Sequence, residues 1–407
     1  VVVVFVSGAQ SSRSLLPERI AKARSLGIAT TRSEVLGQHG SGDPSVEHFL
    51  RQLEPKTEAW RARTKNYRDA ELAKLADESC EQILSLAGKR ANFWLAEESP
   101  QKYGSAVASI GIGLGLSGFA YSTTSSDRAK AQSVLISWCL DQSLEFEMYT
   151  AIRLLKSQSN LIQQLLDEKI SNALKARMLR QIIDLLPQRI NFARIRSAEC
   201  GQFASQSIRD GFDFIQVCGP GGQQIVLSTR EKLEGIWFDS TAGSLQSRCG
   251  QTAWLTSELR ESLLSDYLAA EISFRTALSK RPADVKAAEL AVSAYSSQLG
   301  KSNWLMSEIA QTFYAFQPIY MIQSAKNYLA RRALLEIVIR QLEGLPANEP
   351  SDFDDKPFHR VKSESLIKIY SVGPDQQDDG APDDPKTKSD DFGFKIPLKL
   401  SSSPPRL

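Results

Sequence analysis

From Ser126 onward, apolar residues recur three or four positions apart, and this spacing constrains the chain more than any other feature. Val134, Leu135, Trp138, Leu144, Tyr149, Ile152 and Leu155 fall on one broad face, with Lys, Asp, Glu and Gln between them. That is the pattern of helices that bury one side. A further helix is bracketed by its own ends: Ser171 is placed to cap it, Leu174, Met178, Leu179, Ile182, Ile183 and Leu186 form its apolar stripe, and Pro187 stops it. Helical spacing resumes near Trp254 with Leu255, Leu259, Leu263, Leu264 and Leu268, and runs to about Leu342 through Pro282, Gly300 and Pro318. No repeat of fixed length underlies it, so a multi-helix bundle or stacked helical hairpins is expected.

The stretch Val46 to Trp94 predicts one or two more helices, with Phe49, Leu50 and Leu53 at helical spacing and a single proline at Pro55. One interruption is of a different kind. Phe212, Phe214, Ile215 and Val217 lead into Gly219, Pro220, Gly221 and Gly222, and Ile225, Val226 and Leu227 follow, which predicts a β-hairpin inserted at about 212–228. Ser105 to Tyr121 carries no charge over 17 residues. A short membrane span is one reading of it, but Gly111, Gly113, Gly115, Gly118 and three serines lower both hydropathy and helix propensity. Gly113, Gly115 and Gly118 spell GxGxxG, yet no β-branched strand precedes them and Asp127 comes too early for a ribose partner. A tight helix crossing or a flexible turn is the expected use of these glycines.

Enzyme chemistry finds little footing, and no catalytic residue is assigned. The three histidines, His39, His48 and His359, form no HExxH or other i, i+4 pair, and GxSxG, P-loop and CxxC signatures are absent. Glu97 and Glu98 sit among charged neighbours, as on a solvated face. Cys80, Cys139, Cys200, Cys218 and Cys249 are odd in number and lack metal spacing, so burial as small apolar residues is expected. A net charge of +2 gives no basis for binding nucleic acid. At the start, Val1 to Val6 is apolar and β-branched, and two readings fit it: residues 1–15 are the end of a signal segment or membrane anchor, or they include a short buried strand. The helical body is then 16–345.

After Gly344 the composition turns to Pro, Asp, Gly and Ser, and Ser351 to Asp391 holds 11 Asp or Glu against 6 Lys or Arg. Within it, Leu366, Ile367, Ile369 and Tyr370 form a short β-type run flanked by oxygen-rich turns, of the kind that suits a hard cation; plain solvated disorder is the alternative. The runs "DFDDKPF", "IKIYSVGPDQQDDG" and "SDDFGF" resemble the C-terminal end of type II secretion major pseudopilins, where a "DPWGNPY" turn, a strand, an "SLGxDG" turn and a closing "DDI" follow in this order. The resemblance implies a small β module over 346–400. In it, the Val372 carbonyl and the carboxylates of Asp375, Asp390 and Asp391 would hold Ca²⁺. Phe353 stands where the pattern has proline, and the loop between Asp375 and Asp390 is longer, with Asp378, Asp379, Asp383 and Asp384 added. The whole arrangement is similar to a family of bacterial envelope proteins with an N-terminal membrane anchor, a helical ectodomain and such a tail; "AIRLLKSQSNLIQQLLDEKIS" and "NYLARRALLEIVIRQLEGLP" fit its pattern.

The expected fold is therefore mainly α, with a small inserted β-hairpin and a small C-terminal β module. The expected function is a non-enzymatic, membrane-anchored scaffold or binding protein of the bacterial cell envelope, with protein partners, no nucleic acid and calcium in its tail. A cytoplasmic helical-repeat adaptor with a disordered acidic tail is the alternative, and an enzyme with a site built from polar residues of the helices is a second.

Overall fold

The computed structural model describes residues 12–39, 42–63, 69–93, 100–141, 145–201, 214–218, 224–228, 257–279, 281, 284–302, 318–345, 357–373, 377–379 and 391–398. The possible anchor at Val1 to Val6 and the carboxylates of Glu97 and Glu98 lie outside these residues. The protein is mainly helical, with a two-stranded hairpin and a three-stranded antiparallel sheet. Its contacts divide into two compact units. The first comprises Val1–His39, Ser143–Glu145 and Asn191–Ile322; the second comprises Gly40–Gln142, Phe146–Ile190 and Gln323–Leu407.

In the first unit, α1 (Leu16–Ser25) and α2 (Arg32–His39) are followed in the chain, much later, by α9 (Phe192–Glu199), α10 (Ser257–Leu278) and α11 (Val285–Leu299). Local chemistry sets the ends. Asn191 caps α9 by accepting from the Arg194 amide, and Asp284 caps α11 by accepting from the Ala287 amide at 3.1 Å. The hairpin is present as its spacing predicts, with β1 (Phe214–Cys218) antiparallel to β2 (Gln224–Ser228) and Phe214 opposite Ser228. α10 and α11 pack against each other through Phe274 and Tyr295, whose rings meet edge-on at 6.5 Å. The N-terminal turn is fastened polarly to α10: Arg19 donates to Ser265 Oγ at 3.0 Å and to Asp266 Oδ1 at 3.2 Å, and Ser12 donates to the same carboxylate.

The second unit holds α3 (Pro44–Arg63), α4 (Ala70–Ser85), α5 (Pro100–Leu114), α6 (Ser125–Asp141), α7 (Glu145–Asp167), α8 (Asn172–Asp184), the greater part of α12 (Pro318–Glu343) and the sheet. α3 runs straight through Pro55. That residue faces solvent, where water can serve the carbonyl that has lost its amide partner. Asp69 caps α4 and Ser171 caps α8, the latter as its sequence predicts. The expected stripe of α8 is buried at Leu179, Ile182, Ile183 and Leu186, but Leu174 is 43% exposed. Lys175 takes the inner position instead, and its ammonium donates to the Leu166 carbonyl in the last turn of α7. Tyr149 is likewise exposed, because α6 ends at Asp141 and α7 begins anew at Glu145, so the apolar phase of one does not carry into the other.

The glycine stretch is a packing seam. A methyl group on Gly111 would lie 2.3 Å from Leu154 Cδ2, one on Gly113 2.8 Å from the Ala76 methyl, and one on Gly115 1.8 Å from Ser157 Oγ. α5 thus meets α4 on one side and α7 on the other at distances that only hydrogen allows. Here GxGxxG is the end of a helix, with no phosphate loop. Among the described residues, no helix is long and apolar enough to cross a membrane. Buried polar groups line the same region: Gln132 donates to the Gly111 carbonyl at 2.6 Å, and Gln158 donates to Ser133 Oγ and to the Ala129 carbonyl, both at 2.7 Å.

The sheet has the order β3 (His359–Lys362), β4 (Leu366–Ser371), β5 (Phe392–Pro397), all antiparallel. Ile367, Ile369, Phe394 and Ile396 alternate onto one buried face. The edge of β5 is covered by a side chain that imitates a strand. Gln163 of α7 accepts from the Lys395 amide at 2.9 Å and donates to its carbonyl at 3.0 Å, which removes a free ladder edge. Arg331 of α12 lies flat over Phe392, 3.8 Å from the ring centre.

Candidate functional site

Of the four predicted calcium residues, Val372 and Asp391 fall at the end of the β4–β5 ladder. Ser371 and Phe392 are the last register pair of that ladder, so Val372 and Asp391 are the next residues on facing chains, at the neck of the connecting loop. Paired antiparallel residues sit about 4.5–5.5 Å apart at Cα, which keeps the two chains close as they leave the sheet. Val372 is buried and Asp391 is partly buried. Asp375 and Asp390 lie outside the described residues. From 372 to 391 the loop carries seven aspartates, against Lys386 and Lys388. Among the described residues, no three metal-binding side chains form a cluster.

Beside the neck, three side chains that the spacing did not single out come together. His359 and Tyr370 are a cross-strand pair with ring centres 5.1 Å apart, and Gly393 lies opposite Tyr370 on the other strand. A methyl group at Gly393 would fall 2.5 Å from Tyr370 Cβ and 2.6 Å from the Ile369 carbonyl oxygen, so glycine allows the two strands this close approach. Asp378, carried by the loop, accepts from the Tyr370 hydroxyl at 3.1 Å and lies 3.1 Å from His359 Nδ1. Burial and this carboxylate push the Tyr370 phenol above its ordinary range, so it remains a donor. Asp378 was visible in the sequence only as one added acid among several. What marks it is position, eight residues after the sole tyrosine of β4.

A second constellation lies inside the first unit. Arg196 of α9 and Glu271 of α10 form an ion pair with side chains 2% and 1% exposed. The Tyr267 hydroxyl is 3.5 Å from the guanidinium, and the guanidinium lies 5.6 Å from the Tyr295 ring centre. Burial by itself would lower the Arg196 pKa, but the facing Glu271 carboxylate reverses this and holds it well above the ordinary value. Burial raises both tyrosines far above theirs. The ion pair is closed to solvent, so its removal is expected to be felt in folding stability. Its signal was legible: Glu271 interrupts an apolar face that includes Leu264, Tyr267, Leu268, Phe274 and Leu278.

Of the other residues with chemical potential, His48 is on the surface beside Gln52, and Cys80, Cys139 and Cys200 are buried and in no disulfide. Burial pushes the Cys80 thiol up to about 11, which leaves it protonated and unreactive at neutral pH. Comparison of the chain with protein-family models, curated proteins and solved structures finds no match.

Proposed function

We propose that this chain is a non-enzymatic scaffold or binding protein of a bacterial envelope, whose helical units present surface to protein partners and whose C-terminal sheet is closed by calcium. The observation that carries the reading is the β4–β5 register, which leads both ends of a loop of seven aspartates out of the sheet side by side. The donor set fits a hard cation, since it consists of a backbone carbonyl at Val372 and carboxylates at Asp375, Asp390 and Asp391. When bound, the ion would supply positive charge among like-charged carboxylates and cross-link the loop ends. The resemblance of the tail to secretion pseudopilins supports calcium over magnesium, and the anchored envelope location rests on the same resemblance.

Calcium titration of the full chain tests this. At free calcium 100 times the Kd, binding to the folded state alone adds about 2.7 kcal/mol, visible as a rise in the melting temperature of the sheet and slower proteolysis between β4 and β5. Asp391→Asn abolishes both changes. If neither melting nor proteolysis responds to calcium in the unaltered chain, the metal reading is wrong. Fractionation of cells with protease accessibility of the body tests location.

A further inference from the structure

The loop between β4 and β5 has a fastening that uses no metal. Asp378 lies outside the four residues assigned to calcium, yet its two carboxylate oxygens are each engaged: Oδ1 by the Tyr370 hydroxyl at 3.1 Å, Oδ2 by His359 Nδ1 at 3.1 Å. The two partners belong to different strands and are directly paired, so their spacing is set by the sheet and does not depend on the loop. Tyr370 is itself held: Gly393 lets β5 approach its Cβ closely, and Lys368 Nζ lies 5.6 Å from the ring centre. A carboxylate reaching this point meets a hydroxyl donor and a ring nitrogen on paired strands, which together make a prepared place for a single acid of the loop.

We propose that Asp378 is a positioning residue that fastens the acidic loop to the His359–Tyr370 pair of the sheet before any cation arrives, so that less ordering remains for the ion to impose. Binding costs fall when the bound conformation is already held. This rests on the calcium reading for its purpose, while the fastening itself does not.

Hydrogen exchange of the full chain in excess chelator separates the two. The peptide carrying Gln377, Asp378 and Asp379 exchanges roughly tenfold faster in Tyr370→Phe and in Asp378→Asn than in the unaltered chain, the worth of one charge-assisted hydrogen bond. Peptides from α4 and α6 are unchanged in the same samples, which reports that the variants fold. With calcium added, both variants bind more weakly than the unaltered chain. Exchange at 377–379 within twofold of the unaltered chain in both variants overturns the fastening, even where calcium still binds. Faster exchange in the variants with no calcium response in any chain leaves the fastening standing and removes the metal.

Discussion

Removing the Glu271 charge should destabilise the first unit far more than removing any surface carboxylate. The side chains of Arg196 and Glu271 are 2% and 1% exposed, so Glu271→Gln leaves a guanidinium shut away from water without its counter-charge. That situation costs about 3–5 kcal/mol in general. The surface supplies an internal control: Arg180 and Glu343 form a close pair at 2.9 Å, but with side chains 42% and 27% exposed, solvent screens it to about 0–1 kcal/mol. The expected order of loss is therefore Glu271→Gln well above Glu343→Gln. The double change Arg196→Met with Glu271→Leu replaces the pair by apolar groups of similar size and removes both desolvation costs, so it falls between neutral and about 4 kcal/mol stabilising. The assay is urea unfolding followed by near-ultraviolet circular dichroism, with hydrogen exchange of α9 and α10 to assign the transition to this unit, since a chain with two units need not unfold in one step. Single variants that each cost less than about 1 kcal/mol, or a double variant equal to the sum of the singles, would refute the reasoning.

Two further outcomes follow from the second unit. Gly115→Ala places a methyl group 1.8 Å from Ser157 Oγ and 2.9 Å from Gln132 Nε2, and should lower stability by about 1–3 kcal/mol through overpacking, measured as the urea midpoint; pairing it with Ser157→Gly should recover part of the loss. Asp77 accepts from the amides and hydroxyls of Ser122 and Thr123; burial raises its pKa, but these hydrogen bonds outweigh burial and hold it below the ordinary 3.8. A depressed carboxylate contributes stability that is present above its unfolded value and is lost as pH falls through its folded value. The stability difference between the unaltered chain and Asp77→Asn should therefore be constant from neutral pH down to about pH 4, and shrink below that. A difference that stays level through pH 2 would show that the carboxylate's charge plays no part.

Much of the architecture was legible because local signals agree with tertiary need. Ser171 caps α8, β1 and β2 pair on either side of the sequence Gly-Pro-Gly-Gly, and the run from Leu366 to Tyr370 lies in β4. Misplaced residues have local causes. Leu174 lies in the first turn of α8, where the inward position went to Lys175 because an ammonium there satisfies a helix-end carbonyl that leucine cannot. Tyr149 belongs to α7, a different helix from the one that carries Val134, Leu135 and Trp138. Pro55 looks like a stop signal, but a solvated face tolerates it. At the tail the strands and the acids could be read, and Val372 and Asp391 do emerge together, whereas the part played by Asp378 depends on which residues pair across β3 and β4. That register is a long-range fact; nothing adjacent to Asp378 in the chain encodes it.

The buried pair of the first unit and the acidic loop of the tail pose different electrostatic questions. Arg196 and Glu271 neutralise each other inside α9, α10 and α11, so no further partner is required. The loop from 372 to 391 has seven carboxylates and two lysines, and its ends are forced together by Ser371 and Phe392. A loop of that composition is expected to respond to added cations. His359 and Tyr370 serve one of the seven. Diffuse salt and a bound divalent ion would act on this loop in physically distinct ways: screening depends on ionic strength alone, with a Debye length of about 10 Å at 0.1 M, whereas a site saturates at its own Kd. Stability of β4 and β5 that rises equally with sodium chloride and with calcium at matched ionic strength therefore argues for a solvated acidic loop. A rise that saturates with calcium against constant salt argues for an ion held between the strand ends.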